Sequence, residues 1–226
     1  MTEQIKLDDK RAREYFKEDK DFKKKLLTFY GFCLLCIIPF LNFILIPFFA
    51  IKFLGYFLTN TRNRVFKPNS NLPNWNDKGQ LGIGFKAMVA NLIIGIPVNI
   101  LFCVFVSPLL APGNSSMAFG FLMAVILFLV PMIYFAIAVL AFVTDFKIKS
   151  FFNFKAINYI LKNELFVSYI SKMAIYFILY FLAQIIAGIT VIGIIAVPAI
   201  IFIFFAIISD IQAQFIRHAF KIGQKK

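Results

Sequence analysis

The sequence predicts an all-α protein, a polytopic transmembrane helical bundle with about six membrane helices and short proline-broken hairpins. The main observation is the length of the runs without charge. Leu26 to Leu58 contains one charged residue, Lys52, and the runs 87–144 and 173–209 contain none. Helices satisfy their own backbone groups in lipid, so runs of this length are typical of membrane spans.

Composition is the second observation. The mean hydropathy is +0.82 and 15% of the residues are charged, whereas about a quarter of a soluble domain is charged. We therefore expect one transmembrane domain over residues 26–222, preceded by a charged cytoplasmic arm, residues 1–25, and followed by a basic tail, residues 223–226.

The first apolar run must contain a turn. As one helix it would be about 50 Å long, against a hydrocarbon core of about 30 Å. Pro39, Asn42 and Pro47 predict the turn near residues 38–42. Two full crossings and a hairpin that stops short of the far surface both remain open. The predicted membrane helices cover residues 26–38, 43–60, 85–106, 118–144, 165–187 and 191–209.

The distribution of Lys and Arg predicts the orientation. With the N-terminus inside, the four inner segments 1–25, 59–84, 145–164 and 210–226 hold nine, four, four and four of these residues, and the outer loops hold none. The positive-inside rule then favours six crossings with both termini in the cytoplasm and a location in the cell (inner or plasma) membrane. The same rule explains the net charge of +13 without nucleic acid, which we do not expect as a partner.

Two inner segments are candidates for interfacial helices. In the arm, aromatic residues such as Tyr15 and Phe16 stand among Lys and Arg. This pattern suits either a helix on anionic headgroups or a partly disordered leader. Between residues 150 and 165, apolar residues recur at three- and four-residue spacing, which suits a membrane-surface helix or a helix packed on the bundle. These residues are Phe151, Phe154, Ile157, Leu161 and Leu165.

Some inner-side residues are candidates for a site. Trp75 is predicted to be an interfacial anchor, because an indole has one apolar and one polar end. The nearby Gly79, Gly82 and Gly84 match no phosphate-loop motif and are predicted to shape the entry into the third membrane helix. Ionisable residues near the inner helix ends could form a polar cluster, although pairing or snorkelling also explains them. They are Lys52, Lys86, Asp145, Lys172 and Asp210.

The sequence contains no catalytic or metal-binding signature. The only histidine is His218, and no nucleophile elbow or zinc-protease motif occurs. Cys33 and Cys36 form a single C-x-x-C on an apolar helix, which indicates packing more than metal binding. We expect no enzymatic activity and no cofactor.

Several motifs resemble one family of bacterial and archaeal membrane proteins, the domain of unknown function 4013 family. These motifs are Phe53-Leu54-Gly55-Tyr56, Arg62 and Arg64, Leu72-Pro73-x-Trp75 with Asp77, Gly84-Phe85-Lys86-Ala87, and the segment from Asn153 to Asn163. The resemblance implies a multi-pass helical membrane protein and carries over no catalytic or ligand-binding residue.

Two hypotheses for function follow. The first is a non-enzymatic membrane scaffold, assembly factor or partner subunit, because a large basic inner surface accompanies the lack of reactive motifs. Its partners would be the lipid bilayer with anionic cytoplasmic headgroups, other membrane proteins or a second copy of the chain. The alternative is a transporter or channel for a small solute or lipid, which the prolines within predicted membrane helices favour.

Overall fold

The computed structural model describes residues 7–111, 115–189 and 191–222, and the regular secondary structure in these ranges is helical. Residues 1–6 of the predicted arm and the predicted basic tail, 223–226, lie outside them. The α-helices of the described ranges are α1 (Asp9–Glu14), α2 (Phe22–Leu35), α3 (Asn42–Phe66), α4 (Gln80–Leu101), α5 (Met117–Asp145), α6 (Phe154–Leu161), α7 (Phe166–Ile189) and α8 (Val191–Ala219).

Five helical segments of the described ranges are long and apolar enough to cross a membrane, as expected for a membrane protein. They are Asn42–Phe66, Gln80–Val106, Met117–Asp145, Phe166–Ile189 and Ile195–Ala219. The first predicted membrane helix, 26–38, corresponds to α2, which has 14 residues. A helix of that length extends about 21 Å, less than a hydrocarbon core of about 30 Å. A sixth crossing therefore stays a prediction.

A hairpin joins α2 and α3. The turn between Leu35 and Asn42 contains Pro39, and Phe40 adopts a left-handed backbone conformation with φ of 66°. The two helices then run back along each other: the ring centroids of Phe29 and Phe53 are 5.3 Å apart. Pro47, by contrast, lies inside α3, which continues through it.

The described chain divides into two compact units, Met1–Gly84 with Asn158–Lys226, and Phe85–Ile157. The predicted organisation as one transmembrane domain, 26–222, stays a prediction. In the first unit, α8 is the central helix and packs against α3, α7, α2 and α1. Its core is built mainly of aromatic side chains, and we call it the aromatic core: Tyr15, Phe16, Phe29, Tyr56, Phe57, Leu72, Trp75, Phe202 and Ala206.

In the second unit, α5 packs against the helical turn Ile148–Phe152. The Phe151 ring lies 4.6 Å from Phe142 and 5.4 Å from Phe135, centroid to centroid. Tyr134 donates a hydrogen bond to the Phe151 carbonyl at 2.6 Å. This turn caps the end of α5, where Phe146 adopts the left-handed conformation that ends the helix.

Helix α6 falls in the segment predicted to be amphipathic. Ile157 and Ile160 are buried, whereas Phe154 and Leu161 are 68% and 43% exposed. The apolar residues of the predicted stripe are therefore divided between a buried face and an exposed one. Exposed apolar side chains beside Lys155 suit a helix at a membrane surface, although contact with lipid stays a prediction.

Two glycines allow α3 to approach the start of α4. A Cβ atom on Gly55 would lie 1.8 Å from the Gln80 carbonyl oxygen, and one on Gly84 would lie 1.9 Å from the Ile51 carbonyl oxygen. Both neighbours are backbone atoms, which cannot rotate away. Gly82, two residues before Gly84, has nothing within 4 Å of the corresponding position.

The substitution Gly84→Ala should destabilise the protein, because the added methyl group overlaps the α3 backbone; overpacking of this kind costs about 1–3 kcal/mol. Gly82→Ala is the matched control on the same helix and should be neutral or stabilising by up to about 1 kcal/mol, since alanine favours the helix. Thermal unfolding of both variants in mild detergent measures the difference. Equal melting temperatures for the two variants would contradict the close approach.

Candidate functional site

The N-terminal arm is folded onto α8. Ala12, Tyr15 and Phe16 of the arm are buried. The Tyr15 hydroxyl donates to the Ala206 carbonyl at 2.9 Å and accepts from Asn60 Nδ2 at 2.8 Å. Burial raises the pKa of this hydroxyl and outweighs the opposite effect of the Asn60 hydrogen bond. Tyr15 is therefore neutral at physiological pH and remains a donor.

A buried ion pair joins α3 to α8 beneath the arm. Arg64 Nε lies 2.7 Å from Asp210 Oδ1, and the two side chains are 3% and 1% exposed. Gln214 Nε2 donates to the other Asp210 oxygen at 2.7 Å. Arg64 Nη1 donates to the Ser70 carbonyl at 3.2 Å, and its guanidinium carbon lies 4.1 Å from the centre of the Tyr15 ring. The arginine is thus held by three groups: the Asp210 carboxylate, the Ser70 carbonyl and the Tyr15 ring.

A second buried ion pair fixes the arm to the loop before α4. Lys25 Nζ lies 2.7 Å from Asp19 Oδ2 and donates to the Leu72 carbonyl at 2.6 Å. Asp19 Oδ2 also accepts the Leu72 backbone N–H at 2.9 Å. Both charged side chains are less than a tenth exposed. Because each has charged and neutral hydrogen-bond partners, this pair meets the condition for a charge to be buried.

Trp75 lies in the aromatic core and is 5% exposed. Its ring stacks on Tyr56, with centroids 4.0 Å apart and planes inclined by 19°. Its Nε1 donates to the Lys25 carbonyl at 2.9 Å. The indole therefore packs the loop before α4 onto the α2–α3 hairpin. Its location at the membrane interface stays a prediction.

Three residues of the predicted inner polar cluster lie in the first unit. Asp210 is bonded to Arg64, and Lys172 pairs with Asp9 of the arm. Lys52 is half-buried on α3. Asp210 and Lys172 thus have partners that the predicted cluster did not include.

The other two residues of that cluster, Lys86 and Asp145, lie in the second unit. Lys86 is exposed near the beginning of α4. Asp145 accepts hydrogen bonds from the Ser150 hydroxyl at 2.8 Å and from the Lys147 backbone N–H at 2.9 Å. Asp145 thus organises the turn after α5, and its recorded partners are neutral groups.

A polar cavity of about 340 Å³ opens between the arm and the segment after α3. Its lining includes Tyr15 and Arg64, which link it to the buried network, and Ser70. Among the described residues, no group of three or more His, Cys, Asp or Glu side chains is arranged to hold a metal ion.

The sequence interpretation missed Arg64 as a structural residue. A usable signal was present on α3, where Phe57, Asn60, Thr61 and Arg64 are all buried at the three- and four-residue spacing of one helix face. The helix face that carries Phe57 continues with the polar residues Asn60, Thr61 and Arg64. Their position on the buried face predicts that these polar side chains are buried too. Asp19 and Lys25 had no such signal, because their burial depends on the distant residues of the loop before α4.

The buried and exposed ion pairs give a direct test. Asp210→Asn should lower the stability by about 3–5 kcal/mol, because it leaves the Arg64 charge buried without a counter-charge. Asp9→Asn removes a carboxylate that is 37% exposed and should cost about 0–1 kcal/mol. The double variant Arg64→Gln with Asp210→Asn should recover part of the loss. Thermal unfolding in detergent compares the three variants, and similar shifts for the two single variants would show that the buried pair does not hold the fold.

One family model matches the chain, while neither a curated protein nor a solved structure matched it. The family is described as a protein of unknown function (DUF4013), and its model matches residues 32–192. The match includes α3 to α7 complete, and therefore Gly55, Arg64, Trp75 and Gly84. The arm and Asp210 lie outside it. Because residues 32–192 make up well over half of the chain, the protein belongs to the DUF4013 family.

Proposed function

We propose that the protein is a non-enzymatic scaffold, assembly factor or partner subunit of the cell membrane, with both termini in the cytoplasm. The observation that carries this proposal is the attachment of the arm at several separate points. The Asp8 backbone N–H donates to Gln214 Oε1 at 2.6 Å. Tyr15 and Asp19 add the buried contacts described above. A surface fixed in this way keeps its shape and can serve as a docking platform.

The exposed side chains of the arm include both bases and acids, with the bases in excess. We define its basic face as Lys17, Lys20, Lys23 and Lys24, which are all exposed. Each basic residue near an anionic membrane surface contributes about 1 kcal/mol of attraction. The same charges suit an acidic cytoplasmic segment of a partner membrane protein. The buried ions, in contrast, are committed to each other, which supports a structural role for them over a chemical one.

A photo-crosslinking amino acid at position 20 tests the scaffold proposal in native membranes. We expect one discrete adduct with a membrane protein, identified by mass spectrometry and reproduced by crosslinking from the partner. The triple variant Lys17→Glu, Lys23→Glu and Lys24→Glu should abolish this adduct. Lys155→Glu, an exposed lysine of the second unit, is the control and should not change it.

Adducts with lipid alone, or a protein adduct that survives reversal of the basic face, would contradict the scaffold proposal. An adduct with a second copy of the chain would identify the partner as the protein itself. It would then support a homo-oligomeric scaffold.

A transporter of lipidic substrates is the second candidate, and a cavity in the second unit favours it. This cavity has a volume of about 210 Å³ and is lined by apolar residues together with Asn91, Asn99 and Pro131 of α4 and α5. Asn99 Nδ2 donates to the Gly95 carbonyl at 2.8 Å. Fluorescent phospholipid in proteoliposomes tests this candidate: translocation that Asn91→Leu reduces would support it, and the absence of translocation by the wild type would exclude it for phospholipid.

A further inference from the structure

Two asparagines of α4 lie near the middle of an apolar segment that is long enough to cross a membrane. The segment is Gln80–Val106, and Asn91 and Asn99 lie two residues before and six residues after its central position. At about 1.5 Å per residue, both lie within about 10 Å of the middle, whereas a hydrocarbon core extends about 15 Å to each side. Both side chains are exposed. In a bilayer they would therefore face lipid tails, which offer no hydrogen-bond partner.

The side-chain amides of these asparagines retain unused hydrogen-bonding capacity. Asn99 Nδ2 donates to the Gly95 carbonyl of its own helix at 2.8 Å. Within the described residues, the Asn91 side chain has no hydrogen bond. An asparagine amide has two N–H donors and one oxygen acceptor, so most of this capacity is open. Because an unsatisfied polar group is unfavourable in hydrocarbon, the two amides indicate that a polar partner covers this part of α4.

The neighbouring helix α5 does not supply that partner. The groove of about 210 Å³ between α4 and α5 is lined by both asparagines. On the α5 side its lining side chains are all apolar: Leu127, Phe128, Pro131, Met132 and Phe135. None of them has an amide, a hydroxyl or a charge. The polar partner must therefore come from outside this pair of helices.

The spacing of Asn91, Gly95 and Asn99 defines one face of α4. The three residues recur at four-residue intervals, which places them on the same side of the helix. Apart from its own helix backbone, a Cβ atom on Gly95 would have one described neighbour within 4 Å, Asn99 Nδ2 at 3.9 Å. Packing within the described chain therefore does not require glycine here, although glycine destabilises a helix relative to alanine. A glycine in the centre of such a face allows a second helix backbone to approach closely.

We propose that Asn91, Gly95 and Asn99 form the interface of a parallel homodimer, in which α4 of one copy crosses α4 of a second copy at Gly95. Both copies have the same orientation in the membrane, so a two-fold axis along the membrane normal brings each asparagine to its equivalent at the same depth. An amide complements itself, because its N–H group donates to the oxygen of another amide. A different partner would need polar groups at both depths, whereas a second copy always has them. The four-residue spacing also suits the right-handed crossing, about −40°, of closely packed membrane helices.

Disulfide crosslinking in native membranes tests the geometry of this interface. In the full chain with its three cysteines replaced by serine, Gly95→Cys places a thiol at the crossing point and keeps both asparagines. We expect mild oxidation to convert this variant into a covalent dimer. Ile93→Cys in the same background is the matched control. Ile93 is exposed and lies two residues from Gly95, on the opposite side of the helix, so its thiol should give little dimer.

Association in liposomes tests the contribution of the amides. Energy transfer between labelled copies, measured over a series of protein-to-lipid ratios, gives the dissociation constant of the dimer. Asn91→Leu with Asn99→Leu should raise this constant about tenfold, because the interhelical hydrogen bonds are lost. Asn91→Gln with Asn99→Gln retains the amides and should weaken the dimer much less. Ile93→Ala with Ile100→Ala changes exposed residues on the opposite side of α4 and should leave the constant unchanged.

Three results would overturn the proposal. The first is equal crosslinking from positions 93 and 95, and the second is a dissociation constant that the leucine substitutions leave unchanged. The third is a phospholipid that native mass spectrometry finds on a monomer and that Asn91→Leu releases, because lipid would then occupy the face. Circular dichroism and thermal unfolding establish that each variant is folded; if the leucine double variant is not, the single variants Asn91→Leu and Asn99→Leu decide instead.

This interface is independent of the basic face. A scaffold that binds another protein through its arm can have the α4 interface or lack it. Photo-crosslinking from position 20 and disulfide crosslinking at position 95 can therefore fail separately, and the failure of one leaves the other proposal standing.

Discussion

The buried pair of Arg64 and Asp210 is the constraint on which the first unit depends. A guanidinium that is 3% exposed is tolerated only with a counter-charge and hydrogen-bond partners close by. Its partners come from α8, through Asp210, from the segment after α3, through the Ser70 carbonyl, and from the arm, through the Tyr15 ring. Movement of α8 would leave the Arg64 charge without its counter-charge, and movement of the arm would remove the Tyr15 ring from its guanidinium. The pair therefore couples the docking of the arm to the packing of α3 against α8.

Contacts within the first unit explain several residues of the family motifs in physical terms. Gly55 and Gly84 are needed because α3 and the start of α4 meet backbone to backbone. Leu72 and Trp75 return the intervening loop to the aromatic core, where the Lys25 carbonyl accepts the indole N–H. Arg64 belongs to the family match, yet its counter-charge, Asp210, lies beyond residue 192. The region that the family model matches thus depends on a residue outside it for its buried charge.

Hydropathy predicted the helices well, because the transfer of apolar side chains to lipid is a local property of each segment. Pro39 lies in the turn between α2 and α3, whereas Pro47 lies inside α3, so the presence of a proline alone does not predict where a helix ends. Gly82 and Gly84 lie in the first turns of α4, the helix whose entry they were predicted to shape, but the sequence offered no measure of how closely Ile51 approaches Gly84. The predicted cluster of Lys52, Lys86, Asp145, Lys172 and Asp210 rested on depth alone. Ion pairing depends instead on which side chains tertiary packing brings together, and Arg64 and Asp9 were outside that set.

The structure divides the positively charged residues into buried and exposed groups, a distinction that composition alone could not provide. Lys25 and Arg64 are buried, and each is paired with a carboxylate. The ion pairs offset the free-energy cost of desolvating the two cations, and they contribute to holding the fold. Lys17, Lys20, Lys23 and Lys24, which lie within eight residues of Lys25 in the sequence, are exposed. An exposed charge retains its long-range electrostatic attraction, whereas a buried and paired one does not. The positively charged residues therefore have two different roles. Lys25 and Arg64 hold the arm in place, and as a consequence the exposed lysines of the arm are kept at fixed positions.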